Sequence, residues 1–152
     1  MKSGKFNDAL KCFDEALNIN PKFFEAWINK GKVLHELDRF DEALKCHEMA
    51  LELEPENLDA WYNKGIALAN LKRHQEAIEC YDKALEKDPR CAITWVNKGL
   101  SLSVLSRYGE ALQCLDRALE INPNNEFEYG GRAGYSIKFL KEVFLKKVGS
   151  KK

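Results

Sequence analysis

The chain has 152 residues, 45% hydrophobic and 32% charged, with 24 basic and 24 acidic side chains and a formal net charge of zero. That length supports a sizeable core, and the balanced charge gives no basic footprint for nucleic acid. No apolar run reaches about 18 residues, so no membrane-spanning helix is expected; the start, "MKSGKFNDAL", lacks the apolar stretch of a signal peptide, and a cytoplasmic location is expected.

Residues 5–20 open with Phe6, Leu10, Phe13 and Leu17 at helical spacing, an apolar stripe with no upstream partner in the chain. An apolar helix face of that kind needs a cover. It points either to a piece of a longer protein or to another molecule on this end. Next, Trp27, Gly31 and Leu34 share one helix face. A break follows at "LDRF", with Asp38 as the expected N-cap. Phe40, Ala43, Leu44, His47, Ala50 and Leu51 then recur at helical spacing until Pro55, which cannot sit in a helix interior. Two helices joined by so short a break must be antiparallel neighbours. Gly31 is expected to let its helix approach Ala43 and Ala50 closely, with Trp27 and Leu34 filling the space on either side.

The same pattern returns every 34 residues. Trp27, Trp61 and Trp95 form one column, and Gly31, Gly65 and Gly99 a second. Leu34, Leu68 and Leu102 form another. Two alanine columns run through 9, 43, 77, 111 and 16, 50, 84, 118, and a proline column through 21, 55, 89, 123. Cys12, Cys46, Cys80 and Cys114 obey the period too. Equivalent residues of stacked repeats lie roughly 10 Å apart, beyond the ~7 Å Cα separation of a disulfide. These cysteines are therefore repeated small helix residues, not a redox or zinc framework.

The pattern W-x-N-K-G-x-x-L, then A-x-x-x-[FYHL]-x-x-A, then P, resembles the tetratricopeptide repeat. The resemblance covers residues 24–57, 58–91 and 92–125 and the second helix of an incomplete repeat at 5–20. It implies an all-α, right-handed solenoid of antiparallel helix pairs, with three full repeats and an N-terminal half repeat over 1–125. Lys30, Lys64 and Lys98 stand where the family often has leucine, and such lysines can lay their stems on apolar surface with the charge in water.

After Pro123, three glycines from Gly130 to Gly134 predict a break, and a helix is expected from about Tyr135 to Val148, with Ile137, Leu140, Phe144 and Val148 on one side. Residues 126–152 thus read as a C-terminal capping helix and a basic tail. The tail carries 7 basic and 3 acidic residues, against 17 and 21 in residues 1–125. In that reading the last helix could also dock on the bare N-terminal end of a second chain, a weak head-to-tail self-association through the solenoid ends.

Each helix residue turns about 100°, so Asn29 points about 200° away from Trp27, and Asn63 and Asn97 repeat that geometry. Around them lie Glu25, Ile28 and Lys32 in the first repeat, Asp59, Tyr62 and Ile66 in the second, and Ile93, Val96 and Leu100 in the third. The family resemblance implies that these positions line a concave groove. An asparagine amide both donates and accepts, which suits a peptide backbone. A similar asparagine ladder characterises the tetratricopeptide domain of the protein O-GlcNAc transferases, where it holds an extended peptide. The subclass that grips chaperone C-terminal carboxylates needs basic groove residues, whereas this chain has Glu25, Asp59 and Ile93, then Ile28, Tyr62 and Val96.

No phosphate loop or HExxH is present. His47 and His74 occupy columns of packing residues, and His35 has no evident nucleophile beside it. The expectation is a non-catalytic scaffold that binds a protein or peptide segment. Asn29, Asn63, Asn97, Glu25, Lys32, Asp59, Tyr62, Ile66, Val96 and Leu100 form its candidate site, with no cofactor or metal. Two other readings stay open: a substrate-recognition fragment of a larger enzyme such as a glycosyltransferase, and a self-assembling structural module.

Overall fold

The computed structural model describes residues 2–123 and 136–149. All regular structure among them is helical: α1 (Lys2–Ile19), α2 (Phe24–Glu36), α3 (Phe40–Leu53), α4 (Leu58–Asn70), α5 (His74–Lys87), α6 (Ala92–Val104), α7 (Tyr108–Ile121) and α8 (Ile137–Gly149). This is the all-α helical solenoid class that the family resemblance implies. The break expected from Gly130 to Gly134 lies outside the described residues. The chain forms two compact units, Met1–Lys87 with α1 to α5 and Asp88–Lys152 with α6 to α8.

Each hairpin turns by one device. Asp38, Lys72 and Ser106 adopt left-handed backbone, with φ of 57°, 64° and 60°. The next residue then donates its N–H back over the helix end: Arg39 to the Leu34 carbonyl, Arg73 to Leu68 and Arg107 to Leu102, at 2.9–3.0 Å. This is a Schellman ending that satisfies otherwise orphaned carbonyls. Asp38 is therefore the left-handed residue that stops α2, not the N-cap of α3. The N-cap is Arg39, without a side-chain cap. Its guanidinium instead forks onto Glu42 at 2.6 and 2.7 Å, as Arg73 does onto Glu76 and Arg107 onto Glu110. Those bonds hold the three carboxyls below the usual carboxylate range.

Gly31 and Gly65 face rings rather than alanines. A Cβ at Gly31 would lie 2.4 Å from His47 Cε1, and one at Gly65 would lie 2.5 Å from Tyr81 Cε1. In the third hairpin the contact is looser, with the Ala111 carbonyl and Cys114 Cβ at 3.3 Å. The alanine columns flank these contacts and are fully buried at Ala43, Ala50, Ala77, Ala84, Ala111 and Ala118. Leu34, Leu68 and Leu102 complete the interior, each contributing roughly 1.5–3 kcal/mol.

The tryptophans are half-buried. Their indole N–H groups donate to the carbonyls of Pro21, Pro55 and Pro89 at 2.8, 2.7 and 2.9 Å, which pins each inter-repeat bend. Above the rings sit the ammonium groups of Lys30, Lys64 and Lys98, 5.4–5.8 Å from the centroids. Lys30 also reaches Asp14 on α1 at 2.6 Å, and Lys64 reaches Glu48 on α3 at 3.2 Å. The lysine that departs from the family pattern thus links one repeat to the helix before it. Each such pair contributes roughly 0.2–1 kcal/mol at these partly exposed places.

In the second unit α8 packs on α7 and copies that link, with Lys141 bonded to Asp116 at 2.5 Å. Ile137 and Phe144 are buried, with the Phe144 ring 6.1 Å from that of Tyr108. Leu140 is half-buried and Val148 is exposed, so the apolar stripe is spent over its first two turns.

Candidate functional site

The face expected to bind is built in the first unit from α2 and α4. On α2, Glu25, Asn29, Lys32 and Glu36 are exposed and His35 is half-buried, while Ile28 is buried against Ala50, Leu51 and Ala60. On α4, Asp59 and Asn70 are exposed, and Tyr62, Asn63 and Ile66 are half-buried. The two helices meet around a cavity of about 190 Å³ lined by Lys32, His35, Glu36, His47, Asn63 and Ile66. Three of the expected residues, Lys32, Asn63 and Ile66, therefore come together.

Hydrogen bonds fix the polar groups. Asn63 donates its amide N–H to the Asp59 carbonyl one turn back, at 2.7 Å, which leaves its Oδ1 to act as an acceptor. Asn70 donates likewise to the Ile66 carbonyl at 2.9 Å. Its Nδ2 also lies 3.2 Å from His35 Nε2, a hydrogen bond across the α2–α4 seam when that nitrogen carries no proton. His35 is held from the other side by Phe40, edge-on at 5.3 Å between ring centroids. Tyr62 lies 6.4 Å from Tyr81 by ring centroids, so it packs toward α5.

One wall of the cavity belongs to His47. Burial, and after it the nearby His35 and Lys32, push its pKa down to about 4, so the imidazole is neutral at pH 7. Its Nδ1 is buried without a hydrogen-bond partner. The sequence placed His47 as core filling, and it is that. What the column comparison missed is that the same ring also lines a cavity on the displayed face. The signal was there: a polar ring in a column otherwise held by Phe13, Tyr81 and Leu115.

The third repeat departs from expectation. Asn97 is 3% exposed and Val96 4%, while Leu100 is half-buried. The wheel angle of Asn97 relative to Trp95 is the same as in α2 and α4, but α6 is covered around most of its circumference. Ala92, Thr94, Val96, Asn97, Gly99, Ser101 and Leu102 are all buried. A helix buried on several faces has no single outer face for a wheel to find. The three asparagines are thus exposed, half-buried and buried in turn, and the likeness to the O-GlcNAc transferase ladder is not supported.

Two larger openings, about 470 Å³ beside Trp27 and 510 Å³ beside Trp95, are lined by equivalent columns of Trp, Lys, Leu, Glu and Cys. Their recurrence marks them as a product of the hairpin itself. Cys91, for which the sequence offered no role, is the N-cap residue of α6, where its sulfur accepts the Thr94 hydroxyl at 3.0 Å.

A family model described as "Tetratricopeptide repeat" matches residues 24–57, 58–91 and 92–125, and a second, "TPR repeat", matches residues 1–38. Among solved structures, the chain is similar to a crystal structure of MamA, with a TM-score of 0.79 and 20% identity over 97% of this chain and 87% of that one. A MamA RS-1 ArsTM double mutant gives 0.75 and 23%, over 84% and 71%. The first TPR of Spaghetti (RPAP3), bound to the HSP90 peptide SRMEEVD, gives 0.74 and 18%, over 83% and 93%. At these identities the likeness shows a shared fold. No curated protein sequence matches the chain.

Proposed function

The chain belongs to the tetratricopeptide repeat family, and from that premise we propose that it is a non-catalytic interaction scaffold whose α2–α4 face binds an extended segment of a protein partner. The observation that carries this reading is the cavity of about 190 Å³ where Lys32, Asn63 and Ile66 converge with His35 and Glu36. Ile66 supplies an apolar contact, and Asn63 Oδ1 accepts from a backbone N–H. Asn29, exposed one repeat earlier, provides a second polar rung. Roughly three residues of extended chain, at about 3.3 Å each, span one repeat. Tyr62 borders the path, and Asn97, Val96 and Leu100 are not part of it.

A structurally similar domain binds an acid-rich HSP90 peptide. On this chain the exposed side chains include Glu25, Glu36 and Asp59, so the partner we propose is neutral or mildly basic. The repeated cysteines pack as small helix residues rather than as crosslinks, which suits a reducing compartment such as the cytoplasm. The test is selection of peptides from a displayed library on the immobilised chain, followed by affinity measurements on variants. Asn63→Ala and Ile66→Asp are each expected to weaken a selected peptide at least ~10-fold. Selected peptides that bind both variants as tightly as the parent chain would overturn the site.

A further inference from the structure

One column of the complete hairpins holds a different side chain in each repeat. His47 lies over Gly31, Tyr81 over Gly65 and Leu115 beside Gly99, and all three are at most 2% exposed. Imidazole is shorter than phenol, since it lacks the outer carbon and the hydroxyl. The cavity of about 190 Å³ on the α2–α4 face borders this shorter ring. His47 is neutral at pH 7, so it carries one donor and one acceptor, and its Nδ1 is buried without a partner. An unmet polar atom of that kind is costly, and the cavity is the space beside the ring that a ligand can enter.

We propose that this cavity takes a tyrosine side chain of the partner segment, with its phenol hydroxyl against the His47 imidazole. The proposal deepens the α2–α4 reading and rests on it. Size favours an aromatic ring: a cavity of roughly 150 Å³ holds benzene, and this one measures about 190 Å³. The walls suit a ring as well. Ile66 is apolar, and Lys32 brings an aliphatic stem with a cation for the ring face. His35 presents an imidazole that Phe40 and Asn70 hold in place.

Charge and hydrogen bonding narrow the choice. Lys32 and Glu36 put one charge of each sign at the cavity, and both are exposed, so no net charge calls for an ion. A carboxylate would face Glu36 and the Asn63 Oδ1, and an ammonium or guanidinium would face Lys32; either gives up water without a matched partner. A side-chain amide brings four hydrogen-bonding sites and no ring to fill the space. A phenol hydroxyl donates one bond and accepts as well, so it pairs with His47 in either tautomer. Phenylalanine fills the space and leaves the imidazole unmet.

The test is NMR titration of the intact chain with p-cresol, toluene and propionamide, which carry the tyrosine, phenylalanine and glutamine side chains without a backbone. We expect p-cresol to shift the Ile66 methyls and the His47 ring saturably, with a Kd on the order of 1–10 mM. Toluene should bind at least ~5-fold more weakly, and propionamide should shift neither residue. Two variants borrow the residues that the other hairpins use in this column, and circular dichroism checks that both fold. His47→Tyr places a phenol of the chain's own at the cavity and should weaken p-cresol at least ~10-fold. His47→Leu removes the hydrogen bond and should bind toluene at least as well as p-cresol. Among peptides selected on the chain, tyrosine should recur at one fixed position. No shift with p-cresol, equal binding of p-cresol and toluene, or an unchanged p-cresol preference in His47→Leu would overturn the pocket. Selected peptides that need Asn63 and Ile66 but share no tyrosine would overturn the pocket and leave the groove standing. The expected p-cresol results with no peptide selected would support the pocket and overturn the groove.

Discussion

Acid should weaken the first unit most through one deeply buried histidine. His47 is 1% exposed, and its pKa lies at about 4 against an ordinary value of 6.5. Unfolding returns the ring to water, so the unfolded chain takes up a proton that the folded chain refuses. Stability is full above the unfolded value and falls as pH drops from about 6.5 toward 4. Between pH 7 and pH 5 this residue alone costs about 2 kcal/mol. The assay is urea unfolding followed by tryptophan fluorescence at the two pH values, on the parent chain and on His47→Tyr. Tyrosine is the residue that the next repeat places against its own glycine, Tyr81 against Gly65, so the substitution fits the fold and removes the titration. His74, whose pKa burial also lowers, is present in both proteins and cancels. We expect the parent to lose about 2 kcal/mol more than the variant. Equal losses would refute the link between burial of this ring and acid sensitivity.

Glycine substitutions should separate the hairpins. Gly31→Ala and Gly65→Ala drive a methyl to within 2.4 and 2.5 Å of a buried ring, so we expect overpacking of ~1–3 kcal/mol to outweigh the ~1 kcal/mol gain in helix propensity. Gly99→Ala, whose nearest neighbours lie at 3.3 Å, should stay within ~1 kcal/mol of the parent, and Gly109→Ala, with nothing within 4 Å, should melt higher. A thermal series that ranks the four alike would contradict the packing. Thiol titration at pH 8 should show Cys12 reacting first: burial pushes Cys46 and Cys80 up to about 11, so their thiolates are scarce and we expect them ~100-fold slower. Five thiols reacting at one rate would count against the buried column.

The hairpins were legible because their cause is repeated. A residue that recurs every 34 positions reports a shared environment, and the alanine, leucine and cysteine columns are buried as that logic requires, apart from the edge helix α1. Asp38 was misread because an acidic residue before a helix suggests an N-cap, while Lys72 and Ser106 at the same place share only a left-handed backbone. Composition does not encode that when no glycine is present. Gly31 was matched to the wrong partner for a similar reason. Alanines on the facing stripe are neighbours of the contact, and which side chain lies over the glycine depends on rotamers.

Exposure agrees with the wheel at Glu25, Asn29, Lys32 and Asp59 and departs from it at Ile28 and along α6. A wheel assigns direction from Trp95 but carries no information about what else covers the helix, so Asn97 and Val96 were placed outside. His35 and Asn70 bridge two repeats at spacings that no motif records. The columns also showed Lys30 and Lys64 as departures from the family, while Asp14 and Glu48, the acids they bind, lie in the preceding helix and were not connected to them.

The α2–α4 face is tested most directly by amide and side-chain NMR of the chain titrated with a peptide selected on it. Perturbations should centre on Lys32, His35, Asn63 and Ile66, reach His47 on the cavity wall and extend to Asn29, with the exposed residues of α3 and α5 unmoved. Binding that shifts α3, α5 or α8 and leaves the Asn63 side-chain amide in place would contradict the account.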